Sequence, residues 1–203
     1  YTKIIEAELI KLFSNAYRYI NFSIANQFYL ICKKQGLDFF KIRNLMKDNY
    51  KRNINIPMAG FTAGPCLLKD TMQLSSFNNH KFPLFHSAMS INEGLPQFII
   101  NSLKEKCNLK KKVVGILGLS FKAENDDIRD SLSIKLLKKL KSKKIRTLQS
   151  DEYYRDEKNV DKNTLIKKSD IIIIATPHKA YKNLKISKKK ILVDIWGLAK
   201  KYQ

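Results

Sequence analysis

From Ile4 to about Lys34 neither Pro nor Gly interrupts the chain, and apolar residues return at helical spacing through Leu9, Leu12, Ala16, Ile20, Ile24, Phe28 and Ile31. The pattern predicts one long helix. Gly36 stands where a C-cap glycine belongs and Asp38 where an N-cap belongs, so a second, shorter helix is expected to about Lys47. A loop over residues 48–67 carries Pro57, Gly60, Gly64 and Pro65, and its length marks it as more than a connector. Helical spacing resumes near Lys69 and runs to Phe77, then again over about 82–106, where Pro96 is expected to kink or divide the run.

After Asn108 the period changes. Val113, Val114, Ile116 and Leu117 form a short apolar, β-branched run flanked by glycines, which reads as a buried strand. A helix over 131–143, a weak strand over 145–148, a helix over 162–168, an isoleucine run over 170–175 and a last strand over 190–195 follow. Strands alternating with helices imply βαβ units and a mainly parallel sheet. The expected organisation is an all-α part over residues 1–109, then a Rossmann-like α/β part over 110–203.

Charge changes the picture less than its size suggests. The formal net charge is +21, from 39 Lys and Arg against 18 Asp and Glu, and such a balance is often a footprint for nucleic acid. Yet only Arg18, Arg43, Arg52, Arg129, Arg146 and Arg155 are arginines, the residue favoured for bidentate phosphate and base recognition. A solvated Lys-rich surface is the expectation, with no nucleic-acid partner. A basic binding module is the competing class, and binding that weakens linearly in log salt would mark it. Three cysteines without metal-ligand spacing, no apolar stretch near the roughly 20 residues of a membrane span and no signal pattern favour a reducing, cytoplasmic setting with neither metal nor membrane.

The chemistry concentrates in Gly60-Phe61-Thr62-Ala63-Gly64-Pro65-Cys66, which sets a thiol among small residues just before the helix expected near Lys69. Helix N-terminal amides and a nearby cation such as Lys69 favour a thiolate nucleophile. Cys32 and Cys107, on helices, read as packing residues. Lys11 and Asn15 are four apart and project from one helix face, a cation beside an amide donor. By themselves they are ordinary surface residues. Asp70 lies about one turn from Cys66, placed either to orient a water or to complement the helix dipole.

The segment Gly64-Pro65-Cys66-Leu67-Leu68-Lys69-Asp70 closely resembles the nucleophile segment of the UDP-glucose/GDP-mannose dehydrogenase family, the nucleotide-sugar 6-dehydrogenases. Two more segments agree in order and spacing. Residues 7–15, from Ala7-Glu8-Leu9-Ile10-Lys11 to Asn15, resemble the family's long central helix; Gly115-Ile116-Leu117-Gly118-Leu119-Ser120-Phe121-Lys122 and the stretch 125–131 resemble the opening of its UDP-binding domain.

The resemblance implies a helical central dimerisation domain and an α/β UDP-sugar-binding domain. The implied activity is NAD-dependent oxidation of a UDP-sugar C6 alcohol to the uronate, with UDP-glucose expected first. UDP-N-acetylglucosamine, UDP-N-acetylmannosamine and GDP-mannose are the alternatives. It assigns Cys66 as nucleophile, with Lys11, Asn15 and Asp70 as its catalytic partners. It places Lys11, Arg52, Gly60, Phe61, Gly64, Phe121 and Lys122 at the substrate, and Lys69 and Arg129 near the cofactor. Asp126, Asp127 and Asp130 fit this segment or serve as helix caps. A homodimer through the first helix is implied as well.

Departures narrow these expectations. Asp194-Ile195-Trp196-Gly197-Leu198 stands where many relatives carry a substrate-contacting Arg, and Pro65 and the displaced glycines differ from the commonest UDP-glucose form. No G-x-G-x-x-G follows a strand, and Gly115 with Gly118 is a weak match. The resemblance puts NAD mainly on a domain ahead of the central helix, and the chain opens on Tyr1 inside that helix. It is therefore expected to be a fragment, inactive alone. His80, His86 and His178 show no partner in sequence and are expected to be structural or exposed.

Overall fold

The computed structural model describes residues 2–61, 64–77 and 82–199. They form two compact units, Tyr1–Gly94 and Leu95–Gln203. The first is helical and the second is α/β with a parallel sheet.

In the first unit, α1 (Ile4–Lys34) begins where the Glu6 carboxylate accepts the Lys3 N–H at 2.9 Å. It ends with Lys33 and Lys34 at the negative end of the helix dipole. Gly36, at φ 69, then reverses the chain so that Leu37 N–H reaches the Cys32 carbonyl at 2.8 Å. In α2 (Phe39–Lys47) the Asp38 side chain caps Phe40 N–H at 2.8 Å and Lys41 N–H at 3.3 Å. A 3-10 turn, Lys51–Asn53, interrupts the loop that follows, and the Arg43 guanidinium pins that loop through the Ile56 and Pro57 carbonyls.

Then comes α3 (Pro65–Ser76), which starts earlier than its apolar spacing predicts. Pro65 is not loop punctuation here. It occupies the first helical position, where its missing N–H costs nothing and its fixed φ suits the helix. Cys66 therefore sits inside the first turn of α3 rather than in the loop before it. The last long helix, α4 (Pro83–Lys106), passes from the first unit into the second and is not divided by Pro96.

Packing of α1 on α3 fixes the first unit. Leu12 and Ala16 meet Leu74, and Tyr19 meets Leu67 and Ala88, all buried at helical spacing on each partner. Each buried large apolar side chain of this kind contributes about 1.5–3 kcal/mol. The opposite side of α1 is different. Ile10, Phe13, Tyr17, Ile24, Phe28 and Ile31 are all exposed. Their spacing alternates three, four and seven, so they form one apolar stripe along the helix.

The second unit strings together β1 (Val113–Leu117), α5 (Leu132–Ser142), β2 (Arg146–Ser150), α6 (Lys162–Lys168), β3 (Ile171–Ile174) and β4 (Ile191–Asp194). The four strands are parallel in the order β2-β1-β3-β4. All four isoleucines of β3 are fully buried, as a strand covered on both faces requires. Ser131 caps α5 through Ser133 N–H, and Asp161 caps α6 through Thr164 N–H. Gly115 lets α6 lie directly on β1, since a Cβ there would stand 2.4 Å from both Leu165 Cδ2 and Ser169 Oγ. Among the described residues no helix is long and apolar enough to cross a membrane.

Candidate active site

Side chains from two helices converge on one carboxylate. Asp70, on α3, is 3% exposed, and its Oδ2 accepts a hydrogen bond from Asn15 Nδ2 at 2.6 Å. The same oxygen lies 3.6 Å from Lys11 Nζ. Lys11 and Asn15 are one turn apart on α1 and meet at Asp70, so the contact brings together three of the four residues expected to be catalytic; Cys66 lies one turn before Asp70 on α3.

The electrostatics divide the roles. At 68% exposure, the Lys11 side chain makes an ion pair that adds little to stability and leaves N–H groups of the ammonium facing outward. Asn15 spends one amide N–H on Asp70 and keeps the other. Cys66 is an exposed free thiol. Among the described residues no side chain caps the N-terminus of α3, and Gly64, at φ 126, turns the chain into it, so that the first-turn N–H groups beside Cys66 face no described side-chain acceptor. Lys69 is exposed on the same turn.

The loop residues fall into two kinds. Arg52 is exposed on its 3-10 turn, free to reach outward. Gly60 and Phe61 are buried, and the side chain of Asn26 grips Gly60 in both directions. Gly60 N–H donates to Asn26 Oδ1 at 2.8 Å, while Asn26 Nδ2 donates to the Gly60 carbonyl at 3.1 Å. Asn26 also donates to Asn92 Oδ1, and Asn92 to the Tyr19 carbonyl, so a buried amide chain holds the loop to α1 and α4. Nothing in the helical spacing singles out Asn26; only its polarity on a buried face is a signal.

Phe121, Lys122 and Arg129 belong to the second unit. They lie on the stretch between β1 and α5. Lys122 Nζ stands 5.7 Å over the Phe121 ring, and Phe121 N–H donates to the Asp127 carbonyl at 3.0 Å. Arg129 is clamped by the Asp127 carboxylate, with contacts of 2.6–3.0 Å. Hydrogen bonds from Arg129 hold that carboxyl below the usual range.

A doubly wound sheet offers a dinucleotide the N–H groups that follow its first strand. Here that place is filled from within. Asp151 Oδ2 accepts Leu119 N–H at 2.5 Å and Ser120 N–H at 3.2 Å, and Oδ1 accepts Tyr153 N–H at 2.8 Å and Tyr154 N–H at 2.9 Å. Burial pushes this carboxyl upward, but hydrogen bonds from His178 and the Leu119, Tyr154 and Tyr153 amides outweigh it and hold it at about 2. An ionised carboxylate in this nest does not leave room for a pyrophosphate. At this place the described residues form no dinucleotide cradle. Among the described residues no cluster of His, Cys, Asp and Glu is placed to hold a metal.

A sequence model of the UDP-glucose/GDP-mannose dehydrogenase family, central domain, matches residues 5–94, and one of that family's UDP binding domain matches residues 115–201. The chain belongs to this family. The UDP-N-acetyl-D-mannosamine dehydrogenase of Pyrococcus horikoshii is 31% identical, over 93% of this chain and 47% of its own. A solved UDP-D-ManNAc dehydrogenase from the same organism superposes with a TM-score of 0.85 at 27% identity, over 97% of this chain and 49% of its own. A UDP-glucose dehydrogenase from Pyrobaculum islandicum superposes at 0.81 with 26% identity, over 96% and 50%. The chain spans about half the length of the curated relatives it matches. The central-domain range holds Lys11, Asn15, Arg52, Gly60, Phe61, Gly64, Cys66, Lys69 and Asp70, and the UDP-binding range holds Phe121, Lys122 and Arg129.

Proposed function

We propose that this chain supplies the nucleophile and the nucleotide-sugar site of an NAD-dependent nucleotide-sugar 6-dehydrogenase. The observation that carries the reading is the Asp70 carboxylate, which gathers Asn15 and Lys11 one helical turn from Cys66. The C6 alcohol first loses a hydride, and its hydroxyl proton to solvent water, to give an aldehyde. Cys66 Sγ adds to the aldehyde carbon, and the oxygen that gains charge is met by Lys11 and Asn15. The thiohemiacetal loses a second hydride and becomes a thioester, which water cleaves to the uronate with release of the thiol. Asp70 orients that water and keeps Asn15 aligned. NAD, when bound, would accept each hydride, and in this reading Lys69 and Arg129 lie near it.

Arg52, Gly60, Phe61, Gly64, Phe121 and Lys122 contact the nucleotide sugar in this reading. For the sugar, the names of several relatives move UDP-N-acetylmannosamine ahead of UDP-glucose as the first to test. Calorimetry of the native protein with both, and with UDP-N-acetylglucosamine and GDP-mannose, is expected to show one ligand preferred at least about tenfold, a difference of about 1.4 kcal/mol. Equal, steeply salt-dependent binding of all four would point to a mere basic surface.

The exposed seam of α1 is the proposed homodimer contact, an isologous pairing of two copies. Sedimentation is expected to give twice the protomer mass, and a Phe28→Asp, Tyr17→Asp double variant to give the single mass. A monomeric parent would remove this assignment. Free thiols at Cys32, Cys66 and Cys107 support the cytoplasm as the site of action.

A further inference from the structure

We propose that His178 is a positioning residue for the nucleotide sugar, locking Phe121 and Lys122 in place from both sides of the loop that carries them. The inference rests on the reading that these two residues contact the nucleotide sugar. Its own basis is a buried cluster at the carboxyl ends of β1, β2 and β3.

His178 is fully buried, with Tyr153 at 5.0 Å and Tyr181 at 5.3 Å between ring centroids. Its Nδ1 accepts the Glu124 N–H at 3.0 Å. An acceptor at Nδ1 fixes the ring proton on Nε2. That nitrogen faces Ser120 Oγ at 3.3 Å and Asp151 Oδ2 at 3.4 Å. Ser120 Oγ in turn donates to the Lys122 carbonyl at 2.9 Å. One ring therefore holds residue 120 with one nitrogen and residue 124 with the other, bracketing Phe121 and Lys122.

The loop needs such a bracket. Glu124 is held at φ 54, a left-handed conformation that a non-glycine residue adopts only when its surroundings impose it. Its carboxylate accepts Lys179 N–H at 2.8 Å and the Tyr153 hydroxyl at 2.7 Å, so the loops after all three strands meet on it. Asp151 anchors the other end through Leu119 and Ser120 N–H. A group that only filled the core would not need a different loop partner at each ring nitrogen.

The two nitrogens can be tested separately in the native protein. In His178→Gln the amide reaches toward Nε2 and keeps the Asp151 side but loses the acceptor for Glu124. In His178→Asn the side-chain oxygen stands near Nδ1 and keeps it. Calorimetry with UDP-N-acetylmannosamine is expected to show His178→Gln binding roughly tenfold more weakly and His178→Asn recovering most of that loss, the scale of one hydrogen bond. KM follows Kd while kcat stays within about twofold, because no reacting atom is touched. Wild-type affinity in both variants, or losses that track melting temperature rather than the nitrogen removed, overturns the proposal. If His178→Gln does not fold, Tyr153→Phe frees the same loop at its exposed rim; severalfold weaker binding supports the bracket and unchanged binding refutes it. Lys122→Ala separates the two readings. If it binds normally, the substrate assignment itself falls, and this one with it; if it weakens binding while His178→Gln does not, only the bracket is wrong.

Discussion

Replacement of Cys66 by Ser in the native protein is expected to reduce uronate formation to background while leaving UDP-sugar affinity within about threefold, since Cys66 is not among the residues assigned to binding. The side chain is exposed, so the change removes no core contact and the melting temperature should stay put. What it removes is the sulfur. A thiohemiacetal gives up hydride to form a thioester that water opens readily; a serine alcohol is a poor nucleophile without a base to activate it, and its ester would hydrolyse slowly. The first oxidation does not need Sγ, so trapped or released aldehyde is the expected product. Uronate quantified by chromatography at normal turnover in Cys66→Ser would remove the nucleophile assignment. Loss of UDP-sugar binding together with activity would mean that Cys66 shapes the site instead of reacting in it.

How much of this was legible in the sequence depends on how far apart the partners lie. Elements set by local pattern are read well: Ile4–Lys34 by its unbroken spacing, Phe39–Lys47 by its cap, Val113–Leu117 and Ile171–Ile174 by their apolar runs. Local chemistry with two uses is read worse. Pro65 could end a loop or open a helix, and only packing of Leu67 and Leu74 on α1 decides for the helix. The weak strand expected near Ile145 runs on to Ser150 because Gln149 and Ser150, polar yet buried, find partners there: Gln149 bonds Lys141 and Asn159, and the Ser150 carbonyl takes Gly118 N–H.

Long-range polar constellations were not legible at all. His178 reaches residues 27, 54 and 58 positions away, and no periodicity encodes such a meeting. Lys11, Asn15 and Asp70 are an intermediate case. Their helical spacing was visible, but the meeting of the two helices, 55 residues apart at the Asn15 contact, came only from the family resemblance.

Gly118→Ala is expected to be the most damaging single change to the α/β unit. Sequence offered this glycine as a weak remnant of a phosphate-binding turn, whereas its surroundings require it for packing. It sits at φ 90, where a Cβ is strained, and that Cβ would fall 2.4 Å from Thr176 Cβ, 2.7 Å from Thr176 N and 2.8 Å from Thr176 Oγ1. Thr176 cannot yield. It is buried, its Oγ1 donates to the Ser120 carbonyl at 2.7 Å, and its backbone lies against the end of β1. Gly118 is itself tied to Ser150 by a 2.9 Å hydrogen bond. Strain of about 1–3 kcal/mol and overpacking of about 1–3 kcal/mol then add, because the two arise from the same atom but oppose different relaxations. Against a total stability of about 5–15 kcal/mol, the melting temperature should fall by roughly 10 °C or more. The loop 119–124 would be displaced with it, so UDP-sugar binding should weaken even where the protein remains folded. Gly94→Ala is the matched control: it lies in α4 with nothing within 4 Å of the added carbon, so it should hold or raise the melting temperature. If both variants melt within a degree or two of the parent by calorimetry, the close approach of Gly118 to Thr176 does not hold the unit together, and the placement of the loop must come from elsewhere.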